Sequence, residues 1–201
     1  LLGISGTVDE VYDVVQFQHA INHLLAGYPR NAIEAMYNLI DSHDTARIAH
    51  VCGGNLDKVR LAYVLLMTFA GSPSLYYGSE LGLPGDGQHN RAPYPWGNPP
   101  NLDLRSLVQQ LIQLRGEHAS FKSVDFQWLH VDPQANTMLF KKTAESESLF
   151  VAINASDITQ SLLLPDDLAR QPVLDLLRGE QIEPGTEAVT LPAFGFKLWT
   201  C

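Results

Sequence analysis

Cysteine is scarce in this sequence, which contains only Cys52 and Cys201 among its 201 residues. Small secreted domains held together by disulfides carry several cysteine pairs, so that class is excluded and we expect two free thiols. The chain begins Leu-Leu-Gly-Ile-Ser, without Met and without a basic region followed by a hydrophobic segment. We therefore expect a fragment located in the cytoplasm, although a missing N-terminal segment would hide a signal peptide.

Basic residues and long apolar runs are also few. Thirteen Lys and Arg stand against 22 Asp and Glu, a net charge of −9 without a basic cluster, which excludes a nucleic-acid partner and favours a neutral ligand. No apolar run approaches the roughly 20 residues that span a bilayer, so we expect no membrane partner. The longest run, within Leu61–Ala70, predicts a buried helix, and 45% hydrophobic residues allow a sizeable core.

Strand and helix patterns alternate in the first part of the chain. The β-branched run 11–15 predicts a strand, and the apolar stripe from Phe17 to Leu25 predicts a helix that Gly27 and Pro29 end. Further predicted elements are a strand over 36–40, a helix capped by Asn55, a strand over 74–77, and a helix capped by Asp103 with Gly116 at its exit. This order predicts a parallel sheet backed by helices.

Four polar residues follow the strand that ends at Ile40. Asp41, Ser42, His43 and Asp44 would lie at the carboxyl end of that strand, where parallel α/β folds gather their chemistry. The alternative is a simple loop pair, in which Asp44 caps a turn and His43 is merely exposed. Arg47 is either a surface charge or an ion-pair partner that orients a nearby carboxylate.

The segment 38–47, N-L-x-x-S-H-D-T-x-R, resembles the fourth signature segment of the α-amylase family, glycoside hydrolase family 13. The Ser before His-Asp resembles the neopullulanase, cyclomaltodextrinase and maltogenic amylase branch. The resemblance implies that His43 hydrogen-bonds the sugar where the bond breaks. It also implies that Asp44 is the helper carboxylate that steadies the oxocarbenium-like ring.

Two more segments resemble the same family in the same order. Residues 71–82, G-x-P-x-x-Y-Y-G-x-E-x-G, resemble its last barrel strand and the following turn, and residues 85–96 resemble the long loop beyond. The loop departs from the family at Gly87, where Pro is usual. The resemblance makes Arg91 and Trp96 candidate substrate-binding residues, although Trp96 could instead pin the loop. Tyr77 is a supporting candidate or a core residue.

Beyond about Phe121 the hydrophobic period changes to two. Seven short strands are predicted, over 126–131, 137–142, 149–154, 160–164, 173–177, 188–191 and 195–200. They indicate an antiparallel β-sandwich, and the family resemblance implies such a domain C after its barrel. We therefore predict the C-terminal part of a (β/α)8 TIM barrel over residues 1–117, with about three βα units, followed by a β-sandwich over 118–201.

Two catalytic groups of the family are missing from the sequence. Retaining glycoside hydrolysis needs two carboxyl groups about 5 Å apart. The family carries its nucleophile in G-x-R-x-D and its acid in Gly-Glu, and the pairs Gly116-Glu117 and Gly179-Glu180 do not follow barrel strands. We therefore expect part of an α-glucan hydrolase, inactive alone, whose partner is the remainder of the enzyme chain or a dimer partner. The alternative is a noncatalytic carbohydrate-binding or structural module.

Other chemistry-bearing residues favour structural roles. His19 and His23 have the spacing of a zinc pair but lack a third ligand, so we expect exposed histidines, no metal site and no cofactor. Trp128 and Trp199 could form a sugar platform, but aromatic residues in strands more often belong to the core.

Overall fold

The computed structural model describes residues 12–170 and 172–201. Within these ranges, a pair of parallel strands with its helices precedes a set of antiparallel strands. The helices are α1 (Val14–Gly27), α2 (Arg30–Glu34), α3 (Ile48–Val51), α4 (Leu56–Thr68), α5 (Leu102–Glu117) and α6 (Asp166–Ala169). Short 3-10 helices cover Ser79–Leu81, Gly87–Arg91 and Ala119–Lys122.

The prediction of a strand over 11–15 is wrong for residues 12–15, the part that the structure describes, because α1 already begins at Val14. Asp13 forms a capping box with Gln16: Gln16 N donates to Asp13 Oδ1 at 2.8 Å, and Asp13 N donates to Gln16 Oε1 at 3.0 Å. These two bonds satisfy helix donors and override the β-branched preference of Val14 and Val15. Val11 lies outside the described residues.

The parallel sheet consists of β1 (Tyr37–Leu39) and β2 (Ser72–Ser74) in the described part of the chain. Their register pairs Tyr37 with Ser72 and Leu39 with Ser74, which confirms the predicted parallel arrangement. Strand β2 shares only Ser74 with the range predicted over 74–77, because the strand already begins at Ser72, and Tyr76 and Tyr77 follow it. The described residues thus contain two parallel strands where the sequence predicted three.

Helix α4 confirms its predicted cap, because Asn55 Oδ1 accepts hydrogen bonds from Asp57 N at 3.0 Å and Lys58 N at 3.2 Å. Helix α5 begins one residue before its predicted cap, at Leu102, with Asn101 at the N-cap position. The Asn101 side chain instead donates to Leu81 O at 2.8 Å and holds the preceding loop. Buried side chains of α4 and α5 share one core with the following strands.

The antiparallel part confirms all seven predicted strands with small shifts at their ends. They are β3 (Phe126–Asp132), β4 (Thr137–Ala144), β5 (Glu147–Asn154), β6 (Gln160–Leu163), β7 (Val173–Asp175), β9 (Ala188–Leu191) and β10 (Phe196–Thr200). Strand β8 (Gln181–Ile182) was missed because two residues cannot show an alternating pattern. One sheet has the order β3-β4-β5-β10-β7-β8, and β6 pairs with β9 in a second sheet.

Both tryptophans predicted for the core pack there. Trp199 is completely buried, and the Trp128 ring contacts Phe126 and Phe140 at centroid distances of 4.8 and 5.7 Å. Cys52 is buried, Cys201 is exposed, and both are free thiols as predicted. The division between two domains at residue 117 stays a prediction; α5 ends at Glu117.

Candidate active site

The loop 41–47, which follows β1, presents His43 and Asp44 to solvent. Ser42 N donates to Thr45 Oγ1 at 2.9 Å, and Asp44 N donates to Ser42 Oγ at 3.1 Å, so the loop closes into a tight turn. The side chains of His43 and Asp44 are 60% and 70% exposed at its tip. The structure therefore places this pair at the carboxyl end of a parallel strand, as the sequence predicted.

Both carboxylate oxygens of Asp44 have partners. Oδ2 lies 3.0 Å from His43 Nε2, and Oδ1 accepts a hydrogen bond from Arg91 Nη2 at 3.0 Å. Arg91 also donates from Nε to His43 O at 3.2 Å. Three predicted site residues from two separate loops thus meet around one exposed carboxylate, which accepts a hydrogen bond from Arg91.

Arg47 is not a surface charge, and the described residues show no ion pair between it and a carboxylate. It is completely buried, and its Nη1 donates to Tyr77 O at 2.8 Å while its Nε donates to Asn90 O at 2.8 Å. Its guanidinium lies 4.6 Å from the centroid of the Tyr76 ring. Arg47 therefore joins the loop after β1 to the segments that follow β2.

Beneath the exposed tip lies Asp41, whose role the sequence did not reveal. Asp41 Oδ2 accepts hydrogen bonds from Ile48 N at 2.9 Å and Ser79 Oγ at 2.6 Å, which tie the loop to α3 and to the turn after β2. Burial raises the pKa of Asp41, and these hydrogen bonds and the nearby Arg47 offset only part of that increase. The one feature of the sequence that could have revealed this role is the position of Asp41 directly after the strand predicted over 36–40.

Asn90 is a second residue that sequence reasoning missed. Its Nδ2 donates to His43 O and to Thr45 O, both at 2.8 Å, and its side chain is buried. Nothing in the spacing of the sequence marked this residue, because its partners lie more than 40 residues earlier.

The remaining two candidates, Tyr77 and Trp96, contact other parts of the loop 85–96. Tyr77 donates its hydroxyl to Ala92 O at 2.9 Å and so braces the loop 85–96. Trp96 is 85% exposed and packs against Tyr94 at a centroid distance of 4.6 Å. Trp96 is thus an exposed aromatic residue on that loop, and its role in substrate binding stays a prediction.

The two histidines with the spacing of a zinc pair lie on α1, outside the loops of this site. His19 and His23 are exposed on α1, as predicted. Among residues 12–170 and 172–201, no three His, Cys, Asp or Glu side chains are grouped as metal ligands. None of the helices in the described ranges is long and apolar enough to cross a membrane.

Comparison with known families gives two matches that overlap along the chain. Residues 5–156 match the family described as alpha amylase, catalytic domain. Residues 126–198 match the family described as maltogenic amylase, C-terminal domain.

Curated relatives are longer than this chain. A cyclomaltodextrinase of Geobacillus thermopakistaniensis is 35% identical over 92% of this chain and 32% of its own length. Neopullulanase 2 of Thermoactinomyces vulgaris is 36% identical over 86% of this chain and 30% of its own length. An intracellular maltogenic amylase of Bacillus subtilis is 30% identical over 78% of this chain and 27% of its own length. The chain therefore spans about a third of the length of these relatives.

Solved structures are similar over nearly the whole chain. A cyclomaltodextrinase structure has a TM-score of 0.86 at 30% identity and covers 96% of this chain and 34% of its own. The debranching enzyme from Nostoc punctiforme has a TM-score of 0.79 at 32% identity, covering 94% of this chain and 40% of its own.

Proposed function

The chain belongs to the α-amylase family, and on that premise we propose that it forms the C-terminal part of a retaining α-glucan hydrolase. The enzyme cleaves α-1,4-glucosidic bonds in maltooligosaccharides, cyclodextrins or related glucans. In this proposal Asp44 is the helper carboxylate, and His43, Arg91 and Trp96 bind the substrate. The observation that carries the proposal is the exposed Asp44 carboxylate, held between His43 and Arg91 at the end of a parallel strand.

The geometry supports a helper role for Asp44. A developing oxocarbenium ion carries positive charge, and a fixed carboxylate beside it lowers the energy of the transition state. Because Arg91 donates to one carboxylate oxygen and His43 Nε2 lies 3.0 Å from the other, the carboxylate is oriented before the substrate arrives. Arg47 supports this arrangement by joining the loop 41–47 to the loop 85–96, and Tyr77 supports it by bracing the loop 85–96 through Ala92 O.

A retaining mechanism needs a nucleophile and an acid about 5 Å apart, in addition to this helper. The nearest buried carboxylate along the chain, Asp41, is committed to Ile48 N and the Ser79 hydroxyl. We infer that both missing groups come from a part of the enzyme outside this chain. The 201-residue chain alone is then inactive.

An uncovered sheet face supports a protein partner. In β1 the Asn38 side chain points towards the helices and donates to Ala70 O at 2.6 Å, whereas Tyr37 and Leu39, on the opposite face, are 70% and 44% exposed. Parallel sheets are normally covered on both faces. We infer that the remainder of the enzyme covers this face, or a second copy where the remainder is absent.

We also infer that the enzyme works in the cytoplasm. Two observations support this: the scarcity of cysteine in the sequence and the Bacillus subtilis relative named as intracellular.

The test is Asp44→Asn in the enzyme that contains this chain. Turnover of maltotriose should fall by roughly a hundredfold or more, because the variant loses the negative charge while keeping the shape of the side chain. The matched control is Asp166→Asn, another exposed aspartate paired with an arginine, on α6. The control should keep normal turnover, and both variants should keep the wild-type circular dichroism spectrum.

Two results would contradict the proposal. Near-normal turnover by Asp44→Asn would remove Asp44 from the site. Hydrolysis of maltotriose by the isolated 201-residue chain would show that the nucleophile is not missing. An enzyme that binds α-glucans without cleaving them would support the noncatalytic module instead.

A further inference from the structure

One side-chain amide holds the main chain on both sides of Asp44. Asn90 Nδ2 donates to the carbonyl oxygens of His43 and Thr45, both at 2.8 Å. These two carbonyls belong to the residues before and after Asp44. Their directions therefore constrain the backbone dihedrals of Asp44, and through them the direction in which its carboxylate points.

The orientation of this amide follows from its partners. A carbonyl oxygen in the place of Nδ2 would face two other carbonyl oxygens at 2.8 Å, which repel it, so the donor must point at the loop. Both bonds would be lost if the donor were replaced by an acceptor of the same shape. This gives a substitution that tests the contact without changing the packing volume.

Asn90 is itself held in place from behind. Its main-chain carbonyl oxygen accepts a hydrogen bond from Arg47 Nε at 2.8 Å, and Arg47 N donates to Gly85 O at 2.8 Å at the start of the same loop. Asn90 and Arg47 are 1% and 0% exposed. Asn90 therefore acts from beneath the site and does not itself present a group to a substrate.

We propose that Asn90 is a positioning residue for Asp44, which fixes the direction of the carboxylate by holding the peptide carbonyls on both sides of it. The neighbouring Arg91 holds the carboxylate itself, so two consecutive residues of one loop orient the backbone and the side chain of Asp44. The expected effect of Asn90 on turnover rests on the proposed function. Its effect on the conformation of the loop 42–45 does not.

The experiment compares Asn90→Asp and Asn90→Ala with wild type in the enzyme that contains this chain. Two quantities are measured: amide hydrogen exchange across residues 42–45, and kcat and KM with maltotriose. Exchange in the loop should rise by about tenfold or more, because two hydrogen bonds are lost. The kcat should fall by roughly a hundredfold, as expected for a misplaced catalytic group, while KM changes by less than about threefold.

The matched control is Asn154→Asp in the antiparallel part of the chain. Asn154 is also fully buried, and its Nδ2 donates to the carbonyls of Ile158 at 2.7 Å and Pro192 at 2.8 Å. This variant should lose thermal stability but keep wild-type exchange in the loop 42–45 and wild-type kcat. It separates the hold on Asp44 from a general loss of stability.

Each outcome decides the proposal. Unchanged exchange across residues 42–45 in both Asn90 variants overturns it, and so does faster exchange with unchanged kcat. If Asn90→Asp does not fold, Asn90→Ala decides by the same criteria. A wild-type enzyme without activity on maltotriose or cyclodextrin would count against the proposed function, while the exchange measurement would still decide whether Asn90 holds the Asp44 loop.

Discussion

Two buried basic side chains, Arg115 and Lys142, bind the carboxyl end of α4. Arg115 Nη1 donates to the carbonyls of Met67 at 2.6 Å and Phe69 at 2.8 Å, and Lys142 Nζ donates to that of Thr68 between them. The last carbonyls of a helix lack partners within it, and positive charge there is favourable. Burial lowers the pKa of Lys142, and the nearby Arg115 lowers it further. The antiparallel part of the chain thus supplies a cap for a helix of the first part.

We predict that Lys142→Met lowers the free energy of unfolding by about 1–3 kcal/mol, because the carbonyls of Thr68 and Phe121 lose a buried donor. The control is Lys141→Met, next to it but half-buried, with its ammonium 5.5 Å from the Phe150 ring. That change should cost less than about 1 kcal/mol. Urea unfolding of both variants measures the free energy of unfolding. Equal losses would show that the hydrogen bonds of Lys142 contribute no more to stability than the contacts of Lys141.

At the scale of elements, the end of α5 meets the start of β5 through His118 and Glu147. His118 Nδ1 is hydrogen-bonded to Glu147 Oε1, and Ser120 N donates to Glu147 Oε2 at 3.2 Å. Burial raises the pKa of Glu147, but the hydrogen bonds from His118 and Ser120 outweigh it, so this pKa lies below its ordinary value. The ionised carboxylate therefore stabilises the junction.

We predict a pH-dependent stability that Glu147→Gln removes. Because the folded-state pKa is lowered, the contribution is present above the ordinary value of 4.5 and is lost as the pH falls through the folded-state pKa. Wild type should lose stability below about pH 4.5 more steeply than Glu147→Gln, and the variant should be less stable at pH 7. Thermal unfolding from pH 3 to 7 measures this, with the exposed Glu145→Gln as control. Parallel curves for wild type and Glu147→Gln would contradict the assignment.

At the scale of the whole molecule, the exposed face of β1 determines how the isolated chain behaves. We predict that it self-associates and elutes in size-exclusion chromatography ahead of a 22.2 kDa monomer, because Tyr37 and Leu39 leave an apolar sheet face open. Leu39→Lys should reduce the association. Ile112→Lys on α5 is the control, since Ile112 is 47% exposed and Leu39 is 44% exposed. A stable, well-behaved monomer would contradict the need for a covering partner.

The features that the sequence alone predicted depend on neighbouring residues. Asn55 caps α4 because its side chain reaches amides two and three residues ahead, and the strands from β3 onwards appear in the alternation of apolar residues. The segment containing His43 and Asp44 was placed at a strand end by the same local reasoning. The start of α1 differs from the prediction because the capping box of Asp13 and Gln16, which is also local, outweighs the β-branched composition of residues 11–15.

The tertiary structure decided which side chains support Asp44. Arg47 bonds Asn90 across 43 positions of sequence, and Asn90 bonds His43 across 47, so no spacing pattern could show either contact. The sequence determined seven of the antiparallel strands, the cap of α4 and the presence of a carboxylate at a strand end, because these follow from interactions within a few residues. The ion pair with Arg91, the burial of Arg47 and the hold of Asn90 exist only where folding brings two distant loops together.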